Sequence, residues 1–230
     1  MSEESVLEPS VCPFADLSRN RPSAEARAPG ARVIVGDRIR QQIDDDRLIT
    51  VAEARSVLAK LPSGVELALH VGQGADYGGV QEVYRSVGHG DAAPGVSLVP
   101  ASLPPKATRK STHKHSSSNV LISQPRMSGD GTYAAQLLID DSCADMSDHL
   151  TGEHVPGMAI AEAARQMIIA VAEEFYIARG QGLQLRFVTH RMDIEYLDFV
   201  LPLAVELRYV PISMRRTGNE NMKLACEVQF

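Results

Sequence analysis

Residues 148–167 read Asp148-His149-Leu150-Thr151-Gly152-Glu153-His154-Val155-Pro156-Gly157-Met158-Ala159-Ile160-Ala161-Glu162-Ala163-Ala164-Arg165-Gln166-Met167. The stretch opens as a polar loop with two histidines and turns at Pro156-Gly157. It then passes into a segment that is apolar on nearly every side as far as Phe175. A helix of that kind is normally buried. Glu162, Arg165 and Gln166 stand at i, i+3 and i+4, so their polar ends share one helical face. A carboxylate in such a place is costly unless paired, and Arg165 is the partner at hand. Spacing alone leaves two readings open: a structural ion pair inside a core helix, or a reactive carboxylate. Two neighbours point to the second. The Pro156-Gly157 turn leaves helix N–H groups open to an incoming carbonyl, with Gly157 and Met158 as the contact points. His149 and His154 lie on the loop feeding that terminus. General acid/base groups, a carbonyl-polarising helix end and a cation would then meet in one place. Burial should raise the Glu162 pKa and Arg165 should lower it.

The run from Val155 to Gln166 resembles the central-helix motif of hotdog-fold enzymes that act on acyl thioesters. The β-hydroxyacyl carrier-protein dehydratases have a similar P-G-x-x-x-x-E-A-x-x-Q run. It is more similar to the A-factor synthase (AfsA) hotdog family, whose pattern reads D-H-x-T-G-x-H-x-P-G-M-x-x-x-E-A-x-R-Q. Every fixed position of that pattern is present from Asp148 to Gln166. Thr112-His113-Lys114 followed by Val120-Leu121-Ile122 also resembles that family's V-H-K…V-L-L segment. The resemblance covers residues 110–210 or so. It implies an α+β hotdog fold, an antiparallel sheet wrapped round one long buried helix, and pairing into homodimers. It also implies transfer of a β-ketoacyl group from an acyl carrier protein or CoA thioester to dihydroxyacetone phosphate, in γ-butyrolactone biosynthesis. Glu162 and Arg165 match the family's E-A-x-R-Q site. Family members often carry two hotdog repeats, whereas one P-G-M…E-A-x-R-Q run stands here.

Composition narrows the alternatives. A chain of 230 residues suits one or two domains, and 44 % apolar residues can build a core. The net charge is −6 and the sequence pI near 5.6, which argues against nucleic-acid binding. Aromatics make up 5 % and Trp is absent, so base-stacking platforms are not expected. Cys12, Cys143 and Cys226 are too scattered for a zinc site or a disulfide framework, which implies a reducing cytosol. No apolar signal core and no membrane-length apolar run is present. Neither metal nor cofactor is called for.

Along the chain, residues 1–31 read as a mobile tail and 32–105 as a small α/β segment with a linker. Residues 106–230 read as the hotdog domain. Strands are expected at 32–36, 65–71 and 96–99. A helix starting at a Thr50…Glu53 capping box should end before Pro62, and another should run over 80–87. Gly72-Gln73-Gly74-Ala75-Asp76-Tyr77-Gly78 lacks G-x-G-x-x-G spacing and reads as an ordinary loop. The basic run Lys106, Arg109, Lys110, His113, Lys114, His115 reads as a solvated segment. A sharper reading makes it a docking strip for an acidic carrier protein, or gives Lys114 contacts to phosphate. Beyond it, strands are expected at 117–123, 133–139, 183–192, 203–210 and 222–230, with the central helix closing near 178–180. The last strand leaves a bare edge, to be covered by the segment from Arg32, the tail or a partner chain.

The reading is therefore an acyl-thioester transferase with a small hydroxyl acceptor. Glu162, Arg165, His149 and His154 are its catalytic candidates, and Gly157, Met158, Gln166, Lys114 and His113 its binding candidates. A dehydratase or thioesterase on a carrier-bound intermediate is the second reading, and a non-catalytic acyl-binding protein the third.

Overall fold

The structure, a computed structural model, describes residues 30–62, 64–88, 95–144, 154–177, 186–217 and 221–230. Its first part is a four-stranded parallel sheet in the order β2-β1-β3-β4. The strands are β1 (Ala31–Ile34), β2 (Leu48–Ile49), β3 (Leu67–Val71) and β4 (Val96–Val99). Helices α1 (Asp37–Gln42), α2 (Val51–Lys60) and α3 (Tyr77–Gly88) connect them. Strands covered on both faces need near-continuous apolar runs, and Val33-Ile34-Val35 is such a run, buried throughout. The capping box forms as expected. Glu53 N–H donates to Thr50 Oγ1 at 3.2 Å, and Thr50 N–H donates to Glu53 Oε2 at 2.8 Å.

The second part is an antiparallel sheet of β5 (Arg126–Met127), β6 (Tyr133–Gln136), β7 (Glu206–Thr217) and β8 (Asn221–Gln229), in that order. Helix α4 (Gly157–Val171) packs against β7 and β8 and continues as a π-helical turn over Ala172–Tyr176. Its alanines 159, 163 and 170 are fully buried, and their small size lets the helix backbone approach a core of Val120, Leu121, Ile122, Leu137 and Leu207. The helix is not apolar-in all round: Met158 is 71 % exposed and Phe175 39 %. The register of β7 against β8 shifts between Pro211 and Ser213, where proline has no N–H to give the ladder.

Several expectations need correction. Residues 117–123 do not form a strand. Ser117 to Asn119 turn, and only Ile122 and Ser123 make isolated bridges, to Leu137 and Lys106. The strand expected over 183–192 is absent from its described part, since residues 186–200 run without ladder partners. The alternation there reflects side chains that remain exposed, Val188 at 72 % among them. The segment from Arg32 does not cover the edge at β8, because β1 is enclosed between β2 and β3. The ends of the central helix and of the β7–β8 turn, at 178–180 and 218–220, lie outside the described residues.

Among the joints between the two parts is a side chain that the sequence does not single out. Gln73, 1 % exposed, follows β3 and reaches into the second part. Its Nε2 donates to Leu137 O at 3.1 Å and Leu203 O at 2.9 Å, and its Oε1 accepts from Ile139 N–H at 3.0 Å. Gly74 adds a short parallel bridge, its N–H donating to Ile139 O and its O accepting from Asp141 N–H. Beyond the point where Leu137 N–H meets Val205 O, the carboxamide thus stands in for a missing strand between the two diverging segments. Gln73→Ala strands three buried backbone groups, so the full chain should lose roughly 2–4 kcal/mol, read as a shifted urea midpoint.

Candidate functional site

Glu162 is the centre of a compact charged knot. Its Oε2 accepts from Arg165 Nε at 2.7 Å, and its Oε1 accepts from Arg165 Nη2 at 2.8 Å and Gln166 Nε2 at 2.9 Å. Lys114 Nζ lies 2.7 Å from the same Oε1. The Glu162 side chain is 18 % exposed, that of Lys114 22 % and that of Arg165 36 %, so the cations form the outer layer. Burial pushes the carboxyl up, but the bonds from Arg165, Lys114 and Gln166 together outweigh it and hold the group at about 2 against an ordinary 4.5. Glu162 is therefore an anion at neutral pH.

Gln166 fixes this knot to the core. It is fully buried, its Oε1 accepting from Leu121 N–H at 2.9 Å while its Nε2 donates to Asn119 O at 2.8 Å as well as to Glu162. Its amide is thus committed on both sides.

Lys114 reaches the knot because the basic run folds back on itself. Thr108 O accepts from Thr112 N–H at 3.1 Å and from Thr112 Oγ1 at 2.9 Å, and Lys114 N–H donates to Arg109 O at 2.8 Å. The turn places His113 at φ +53°, the left-handed region that a side chain with Cβ rarely adopts. The run is thus not one solvated strip. Lys106 lies over the Tyr77 ring, 5.8 Å from its centroid, while Lys114 and His113 turn to α4 and its π turn.

The remaining histidine candidates among the described residues do not converge on Glu162. His113 Nε2 lies 2.8 Å from Glu173 Oε1, and its ring meets Phe187 edge-on at 5.2 Å. Glu173 is three helical turns beyond Glu162, so His113 and Lys114 diverge along the helix. Its spacing from Glu162 could have marked it from sequence. His154 packs beside the Phe199 ring at 4.9 Å. His149 lies outside the described residues. At the helix start, Tyr196 Oη donates to Gly157 O at 3.0 Å, and a Cβ on Gly157 would meet that hydroxyl at 2.9 Å. The glycine's open side is thus filled by Tyr196, a residue sequence reasoning missed. Met158 points out beside it. Among the described residues no group of three or more His, Cys, Asp or Glu is placed to hold a metal. No described helix is long and apolar enough to cross a membrane.

The antiparallel sheet thus packs on a helix that begins at Pro-Gly and carries a paired carboxylate. The family profile "A-factor biosynthesis hotdog domain" (AfsA) matches residues 99–230, and the chain belongs to that family. No curated protein and no solved structure matches the chain.

The pH dependence of the knot follows from its geometry. Glu162 has a folded pKa below its ordinary 4.5, so its stabilising contribution is fully present above pH 4.5 and is lost as pH falls towards 2. Glu162→Gln should remove that loss, flattening stability against pH in this window by a few kcal/mol, measured by urea unfolding at each pH.

Proposed function

We propose that the protein is an acyl-thioester transferase of the A-factor, or butyrolactone, biosynthesis type. In this reading a β-ketoacyl thioester on a carrier protein or CoA donates its acyl group to a small phosphorylated hydroxyl acceptor. The observation that carries the reading is the pair of outward cations, Arg165 and Lys114, assembled on one buried carboxylate. Arg is a planar fork suited to phosphate, and Lys adds a second point charge. Glu162 holds both in place before the acceptor arrives, so their ordering is complete in advance.

Of the two roles that the sequence leaves open for Glu162, general base or general acid, the second fits poorly with a carboxyl held at about 2. A dehydratase would need such an acid, so the knot favours transfer over dehydration. As an acceptor phosphate draws Arg165 and Lys114 towards itself, their hold on Glu162 weakens and its basicity rises. The carboxylate then becomes a competent base only with the acceptor in place. The acceptor oxygen attacks the thioester carbonyl, a C–O bond forms, the C–S bond breaks, and the hydroxyl proton ends on the released thiol. First-turn N–H groups of α4 at Gly157 and Met158 are suited to the developing oxyanion once Tyr196 moves aside.

The test supplies purified full chain with β-ketoacyl carrier protein and either dihydroxyacetone phosphate or dihydroxyacetone, with products read by mass spectrometry. Phosphorylated ester should form. Lys114→Met and Arg165→Lys should each raise the KM for the phosphorylated acceptor by about 10–100-fold, and Glu162→Gln should act chiefly on kcat. Free acid in place of ester would favour a thioesterase, and bound but unreacted thioester an acyl-binding protein. Either result would remove the transferase reading.

A homodimer is part of the same reading. Val188, Leu197 and Phe199 are exposed by 72 %, 75 % and 67 % on an extended segment without ladder partners. Such a strip suits a second copy of the chain. Sedimentation analysis should give twice the chain mass, and Leu197→Asp should shift it to monomer.

A further inference from the structure

The turn that carries Lys114 has a histidine where its backbone calls for glycine. Among the described residues with a left-handed φ, all are glycine except His113, at +53°. The turn is a Schellman closure. Lys114 N–H donates to Arg109 O at 2.8 Å, and inside that bond His113 N–H donates to Lys110 O at 3.2 Å. The inner residue of such a closure is left-handed, and glycine is its usual occupant because it has no Cβ to strain. Fully buried Thr112, bonded twice to Thr108 O, seats the turn from behind. A strained residue persists where its surroundings over-determine it. For His113 those surroundings include what its imidazole touches.

The ring is held on two sides. Its Nε2 lies 2.8 Å from Glu173 Oε1, and Phe187 meets it edge-on at 5.2 Å. The next side chain, Lys114, places Nζ 2.7 Å from Glu162 Oε1. Glu162 and Glu173 are separated by close to a whole number of helical turns, so they stand on one side of the helix, roughly 15 Å apart. Consecutive Cα atoms are only about 3.8 Å apart, so the two side chains must splay in opposite directions along the helix. The left-handed backbone supplies that splay. A lysine stem is flexible and by itself gives its ammonium no fixed place. With His113 clamped to Glu173, the stem starts from a fixed point.

We propose that His113 is a positioning residue, clamped to Glu173 so that Lys114 is aimed at Glu162 beside Arg165. It thereby acts through Lys114 and not by touching substrate, which replaces the binding role that the sequence suggested for it. The use of the aimed ammonium, to meet an acceptor phosphate, rests on the transferase reading; the aiming itself does not.

Two variants of the full chain test it. His113→Gly gives the backbone its preferred residue, so strain is relieved while the clamp is lost. Glu173→Ala removes the clamp from the other side and leaves the turn unaltered. The readout is the rate of reductive methylation of the Lys114 amine at neutral pH, followed by peptide mass spectrometry. Lys223, exposed on β8, is the internal reference, and Glu162→Gln sets the rate of a released Lys114. Each clamp variant should methylate Lys114 at least about threefold faster than the native chain, and the double variant no faster than either. A native rate in either variant would overturn the proposal. So would a lowered unfolding temperature with Lys114 unchanged, which would make the clamp purely structural. In the acyl-transfer assay His113→Gly should act chiefly on KM for the phosphorylated acceptor, raising it by about 3–10-fold. Absence of transfer would remove the transferase reading and leave the methylation result to decide this one.

Discussion

The fold around the charged knot depends on one requirement: a carboxylate on a mostly buried helix must find donors. Glu162 meets it with Arg165 and Gln166 from its own helix and Lys114 from a distant turn. Each donor then constrains something else. Gln166 fixes α4 to the chain at Asn119–Leu121, and Lys114 fixes the folded-back basic run. Removing one partner of such a set leaves charge uncompensated in a low-dielectric place. A hydrogen-bonded network of this kind is stiff when complete. The same stiffness keeps two cations at the surface in a fixed geometry.

A second buried glutamine does for the two sheets what Gln166 does for the helix. Gln73 supplies donor and acceptor where two hotdog segments part, and the parallel sheet is thereby attached to the second by backbone-like bonds. Carboxamides suit both positions because they carry both polarities without charge. Through Leu138, Leu121 and Gln166 the attachment runs on to Glu162 in an unbroken series of peptide and amide groups.

Much of this was legible in the residues. The capping box at Thr50 and Glu53, the apolar helix entered at Pro156-Gly157 and the convergence of Glu162, Arg165 and Gln166 are local, and local rules read them. The direction of the Glu162 shift was not, because burial opposes Arg165 and one further donor, Lys114, lies 48 positions upstream. The segments 117–123 and 186–192 carry strand-like composition, but a strand exists only where a neighbour offers a ladder, and pairing is not a local property. Gln73 sits in a glycine-rich run that reads as an ordinary loop, and nothing in that run announces an inter-sheet joint. His113 was grouped with Lys114 by adjacency, whereas a left-handed residue sends the two side chains to different turns of one helix.

The register shift at Pro211 divides the β7–β8 ribbon into two lengths with different surroundings. Before it, Leu207 and Tyr209 are fully buried; beyond it, residues 211–216 are exposed. The outer length is therefore a cantilever, hinged where the ladder is interrupted. Its brace to the body includes the hydrogen bond from Arg216 Nη2 to Tyr176 O at 2.9 Å. That carbonyl belongs to the π turn which also carries Glu173, the partner of His113. The outer ribbon is thus tethered to the far end of the helix that holds Glu162, away from the carboxylate itself.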